Sequence, residues 1–217
     1  MTAAASPSAP AMPRFLMLLS LFYGGMVCIG GVIGNKQVML GPLTVEAGMF
    51  AFLTLVLISS TVTEIYGPGE GNRIVRWGFV PLIGSILLIS LVLALPASAD
   101  MDPAREGAFA LILGQSPRIM ISGIIAYGVS QTLNVALFDA LRRETGRLVW
   151  LRGALAGMAS QAVDTLIFIT LAFYGVFPIA GLLLGQMIAK VAISAVLLPP
   201  LITLLVTIER NWFRPTS

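Results

Sequence analysis

Asp164 and Lys190 place an acid and a base where water is scarcest. Lys190 is the sole charge in an otherwise apolar run over 179–208. Asp164 sits the same way in the run before it, after Arg152 and ahead of a turn at 175–178. A charged side chain in hydrocarbon costs roughly 3 kcal/mol or more, so such groups face a bundle interior or a wet cavity. At 1.5 Å of rise per residue, Asp164 lies about 18 Å beyond Arg152, near the middle of a bilayer. Lys190 reaches a comparable depth from the opposite turn. Two such groups on consecutive spans either hold a polar solute between them or neutralise each other as a static pair.

Further polar residues recur around that pair at helical spacing. Ser60 and Glu64 are four apart, Gln131 and Asn134 three apart, and Gln161 and Asp164 three apart beside Ser160. Gln186, Lys190 and Ser194 form a ridge at intervals of four. Residues three or four apart share one helix face, so four helices each carry a polar stripe that lipid cannot be meant to meet. Glu64, Trp150 and Arg152 fall at span boundaries, where carboxylates, indoles and guanidinium groups are also ordinary interface anchors. Asp139 with Arg142 and Arg143 reads as a solvated helix end. Phe138, Phe168 and Phe173 could stack on a flat ring, although packing is the commoner use of such positions.

The elements that must position these groups follow from composition. Hydrophobic residues make up 57% of the 217, and charged residues 11%, against about 25% charged in a soluble domain. The expected fold class is an all-α integral membrane protein, a six-transmembrane-helix bundle. Its predicted spans are 15–34, 47–65, 77–95, 119–140, 153–174 and 179–207, each near the roughly 20 residues a crossing requires. Residues 1–13 read as a disordered tail, 14–210 as the membrane domain and 211–217 as a cytoplasmic tail. Arg14, Arg73, Arg76, Arg142, Arg143, Arg147, Arg152, Arg210 and Arg214 fall at one membrane face, and Lys36, Arg105 and Arg118 at the other. The positive-inside bias then predicts an N-in, C-in topology.

Other classes of function lose ground here. The chain has no histidine and one cysteine, Cys28, so histidine relays, His–Ser or His–Cys nucleophiles and an intrachain disulfide are excluded. The basic residues lack the aromatic interleaving of a nucleic-acid surface. No phosphate loop, dinucleotide fingerprint or metal cluster is present, and no cofactor is expected. An intramembrane serine hydrolase would need Ser194 with Lys190, one turn apart on the same helix, which disfavours activation of the hydroxyl. A purely structural scaffold is disfavoured by the cost of the midplane charges. The glycine pairs 30/34, 153/157 and 181/185 suit either close packing within the chain or a homodimer face. Pro199-Pro200 predicts a bend or break in the last span.

Three stretches together resemble the queuosine precursor transporter family, also described as a vitamin-uptake family. They are Thr63-Glu64-Ile65-Tyr66-Gly67, then Ser130-Gln131-Thr132-Leu133-Asn134 with Trp150-Leu151-Arg152 after a basic loop, and Ser160-Gln161-Ala162-Val163-Asp164-Thr165 leading to Lys190. The likeness covers about residues 47–205. It implies a fold similar to the substrate-binding subunits of energy-coupling-factor transporters. It also implies import of a 7-deazaguanine-type queuosine precursor across the bacterial inner membrane, in a homodimer. The matching positions are Glu64, Gln131, Trp150, Arg152, Gln161, Asp164, Thr165 and Lys190, with Asn134 beside them. Many members carry aspartate where this chain has Ser60 and Asn134. The chemistry is compatible: a carboxylate such as Asp164 can accept from a ring N–H and an exocyclic amine together. Lys190, Gln131 or Asn134 can donate to the ring carbonyl. Proton coupling through Asp164 or Glu64 is one expectation, and a role as the binding subunit of an ATP-driven importer is the alternative.

Overall fold

In hydrocarbon every backbone N–H and C=O must be satisfied within the protein, so long apolar stretches fold as helices. The computed structural model describes residues 12–114, 117–145, 148–176 and 178–213. Residues 1–11 of the expected 1–13 tail and 214–217 of the expected 211–217 tail, together with Arg147 and the turn residue Phe177, lie outside them. The chain runs α1 (Arg14–Gly34), β1 (Gln37–Leu40), β2 (Leu43–Glu46), α2 (Gly48–Tyr66), α3 (Pro68–Ala94) and α4 (Pro103–Leu113). It continues with α5 (Pro117–Thr145), α6 (Val149–Phe173) and α7 (Ala180–Ile208), which ends in a π-helical turn, Glu209–Phe213. Among the described residues, six helical segments are long and apolar enough to cross a membrane.

Helix α2 is the hub, packed against α1, α3, α5, α6 and α7. Its buried residues mix apolar Leu55, Val56 and Val62 with Ser59, Ser60 and Thr63. The outer helices turn Leu21, Leu87, Leu91, Ile188, Val196 and Leu204 outward, as side chains that meet acyl chains should. The Phe15 and Phe213 rings pack with centroids 4.9 Å apart, so the start of α1 and the end of α7 share one end of the bundle. Residues 211–213, expected in a tail, continue the π-helical turn and are exposed.

Three features depart from the sequence expectations. A β-hairpin and the short helix α4 occupy the end of the bundle opposite the termini, where only connecting loops were expected. The hairpin is antiparallel, with Gln37 opposite Glu46, and turns at Gly41. Second, α3 begins at Pro68, well before the predicted 77, because a polar first turn containing Glu70 and Arg73 extends the apolar span. Third, α7 runs unbroken through Pro199 and Pro200, with Thr203 Oγ1 donating to the Pro199 carbonyl at 2.9 Å.

Two of the glycine pairs serve packing within the chain. A Cβ on Gly48 would lie 2.9 Å from the Gly30 carbonyl oxygen and 3.1 Å from Gly34 Cα, so α1 and α2 approach backbone to backbone. Cβ atoms on Gly153 and Gly157 would press on Ile202 and Leu198 of α7. Gly181, in contrast, is exposed and faces open space.

Gly67 alone makes the corner between α2 and α3, at φ 88° and ψ 168°, a region essentially reserved for glycine. Pro68 then opens α3 at its first position, where a missing N–H costs nothing. Gly67→Ala is expected to destabilise the protein by about 1–3 kcal/mol, read as a lower thermal midpoint in detergent. Gly69→Ala, where an added Cβ meets nothing within 4 Å, is the matched control and should barely shift it.

Candidate functional site

Helices α6 and α7 form a tight antiparallel pair, and each brings one charge to their shared face. Lys190 Nζ lies 2.7 Å from Asp164 Oδ2, and Ser130 Oγ of α5 donates to Asp164 Oδ1 at 3.0 Å. Both charged residues are buried, at 3% and 2% exposed, so neither touches lipid. Both carboxylate oxygens therefore have protein donors. The ammonium also lies 5.5 Å from the centroid of the Phe52 ring, within range of a cation–π attraction.

The pair forms the floor of a cavity of about 350 Å³, a volume within the range of small-molecule sites, about 300–1,000 Å³. The cavity extends to the hairpin end of the bundle. Phe52, Tyr127, Phe168 and Phe173 wall it, and residues 111–114 at the end of α4 cover it. Asn35 Nδ2 donates to the Ile112 carbonyl at 2.8 Å, tying α4 to the end of α1. Phe138 is elsewhere, buried beneath Arg152.

Glu46, which no helical stripe includes, completes the floor beside Gln186 of the α7 ridge. Glu46, the last residue of β2, lines the cavity together with Gln186, which donates to Glu46 Oε2 at a long 3.4 Å. Burial raises the Glu46 carboxyl above its ordinary value; the Lys190 ammonium and the Gln186 hydrogen bond oppose that, and the Asp164 charge adds to it. A signal for Glu46 was available, since it is the sole charge between Lys36 and Glu64. It was missed because it lies outside every helical stripe.

A polar ladder continues from the cavity floor toward the terminal end of the bundle. Ser59 Oγ donates to Gln131 Oε1 at 3.3 Å. Asn134 Nδ2 donates to both Ser59 Oγ and Ser60 Oγ at 3.0 Å. Gln131 Nε2, Asn134 Oδ1, Gln161 Oε1, Thr165 Oγ1 and Ser194 Oγ are buried without a hydrogen-bond partner among the described residues. Buried polar atoms are nearly always bonded, so this stretch calls for a partner beyond the described residues, such as water or a polar solute.

The ladder ends at a second buried ion pair. Arg152 Nη2 lies 2.6 Å from Glu64 Oε2. Arg152 Nε donates to the Phe138 carbonyl at 3.2 Å, and the guanidinium sits 4.3 Å from the Phe138 ring centroid. Arg152 is 1% exposed, well removed from the water expected at a simple interface anchor. Asp164 and Lys190 thus meet at the cavity floor, Gln131, Asn134 and Gln161 lie along the ladder, and Glu64 and Arg152 close its far end. Trp150 joins none of these groups and is largely exposed in the first turn of α6.

A bundle of six crossings, with a charged cavity reaching mid-depth from one end and an ion pair across the other, has the architecture of a membrane transporter. Residues 46–204 match a family model described as "Putative vitamin uptake transporter". The chain is also 33% identical over 207 residues to the "Probable queuosine precursor transporter" of Bacillus subtilis (strain 168), covering 87% of this chain and 89% of that one. The chain belongs to this queuosine precursor transporter family, and it is a multi-pass membrane transporter, not an enzyme. No solved structure matches it.

Proposed function

We propose that the protein imports a queuosine precursor of the 7-deazaguanine type across the bacterial inner membrane, with both termini in the cytoplasm. The observation that carries this reading is the buried Asp164–Lys190 pair at the floor of a cavity that reaches the hairpin end. A deazaguanine is flat, with donors on one edge and a carbonyl beside them. Asp164 accepts from the donor edge, Lys190 donates to the carbonyl, and Phe168 and Phe173 line the wall against the ring face. The name of the Bacillus relative supports this solute class. In this orientation the cavity faces the outside, and the Glu64–Arg152 pair seals the cytoplasmic side. The polar ladder is the path between them, with Gln131, Asn134 and Gln161 offering donors and acceptors as the base passes.

Cells unable to make or import these bases provide the test. Supplied with this gene, they are expected to accumulate a labelled nitrile-bearing 7-deazaguanine well above the empty-vector level, with competition by guanine. Accumulation no greater than the vector control would refute the reading.

A further inference from the structure

Asp164 already has a protein donor on each carboxylate oxygen, Lys190 on one and Ser130 on the other. Glu46 is held differently. It hangs from the end of a hairpin strand, and its best-defined neighbour is a glycine notch. A Cβ at Gly34 would collide with the Glu46 carboxylate, and one at Gly48 would lie 2.9 Å from its Oε1. The two glycines therefore clear the space this carboxylate occupies. With all groups ionised, the cavity floor holds two carboxylates against one ammonium, an excess of one negative charge.

We propose that Glu46 is a specificity-determining residue, selecting solutes that carry a protonated amine over neutral solutes of the same shape. Lys190 and Asp164 offset each other in charge while keeping hydrogen-bonding capacity for the base, which leaves Glu46 as the carboxylate whose charge can pair with an incoming ammonium. The Gln186 contact, at 3.4 Å, is long enough to yield to a charge-assisted bond. Charge pairing inside a low-dielectric cavity is stronger than in water, so one carboxylate suffices to set a preference.

This inference rests on the proposed solute class, so its test has two arms. In cells, uptake of the aminomethyl-bearing deazaguanine is compared with that of the nitrile-bearing one. The ratio is expected to fall about tenfold in Glu46→Gln, the factor corresponding to about 1.4 kcal/mol, whatever the change in uptake of the nitrile base itself. Gly34→Ala, which displaces the carboxylate without removing it, should shift the ratio in the same direction. In detergent, benzylammonium should raise the thermal midpoint of the wild type more than benzonitrile does, and Glu46→Gln should erase that difference. Wild-type cells that take up neither base would overturn the proposed solute while leaving the benzylammonium comparison to decide Glu46. Unchanged ratios in both variants, or equal stabilisation of the wild type by both probes, would overturn the role of Glu46.

Discussion

Asp164→Asn is expected to cut uptake about 10- to 100-fold, the equivalent of losing a charge-assisted hydrogen bond of about 1.5–3 kcal/mol. It should also destabilise the protein by about 3–5 kcal/mol, because an ammonium 2% exposed would lose the carboxylate that bonds it directly. The informative variant is the double one, Asp164→Asn with Lys190→Met. Removing both charges ends the desolvation penalty, so thermal stability should return close to that of the wild type. Uptake should not return, since the group that accepts from the solute is still missing. Recovery of stability and uptake together would reduce the pair to a static brace between α6 and α7. A thermal midpoint and an uptake rate on each of the three variants are sufficient to decide.

Much of the bundle was legible because the bilayer imposes a strong code. Each apolar run of the right length became a helix, and the stripes at 131/134, 161/164 and 186/190/194 all turned inward. What the sequence hid is the hairpin end. Strands of four residues carry little periodicity, and α4 buries none of its side chains, so neither stands out against a loop. Glu46 was lost for that reason, since a helical-spacing argument cannot reach a residue between helices. Of the bend or break expected at Pro199-Pro200, the break is absent for a different reason. Local backbone cost is a few kcal/mol, and α7 is held along its length by α6 and α2. Trp150 and Arg152 show the limit at residue level. Two positions apart near a span boundary, they looked alike as anchors, yet helical rotation puts one on the surface and the other in the core.

The two ion pairs differ in what surrounds them, and that difference assigns their work. Lys190 and Asp164 border a cavity, whereas Arg152 and Glu64 are enclosed by Phe138 and the ends of α2 and α6. On the proposed path, a solute leaving the ladder toward the terminal end would part Arg152 from Glu64. The parting is reversible only if each group finds a new partner; along the way lie the acceptor oxygens of Gln161 and Asn134 for the guanidinium and the Gln131 Nε2 donor for the carboxylate.

Arg152→Met is therefore expected to unseal the terminal end. Ser60 lies one turn from Glu64 on α2 and is fully buried, so Ser60→Cys in a Cys28→Ser background reports access from that side. In inverted vesicles, an impermeant thiol reagent should label Cys at position 60 slowly with Arg152 present. With methionine there, labelling should be at least about tenfold faster, the factor corresponding to about 1.4 kcal/mol lost from the closed state. Arg152→Lys keeps the charge but cannot reproduce the planar fork that reaches Glu64 and the Phe138 carbonyl at once, so its labelling should be intermediate. Net uptake should fall in both variants, because a path open at both ends holds no gradient. Equal labelling rates across all three proteins would place the seal elsewhere and leave the Glu64–Arg152 pair as a fastener between α2 and α6.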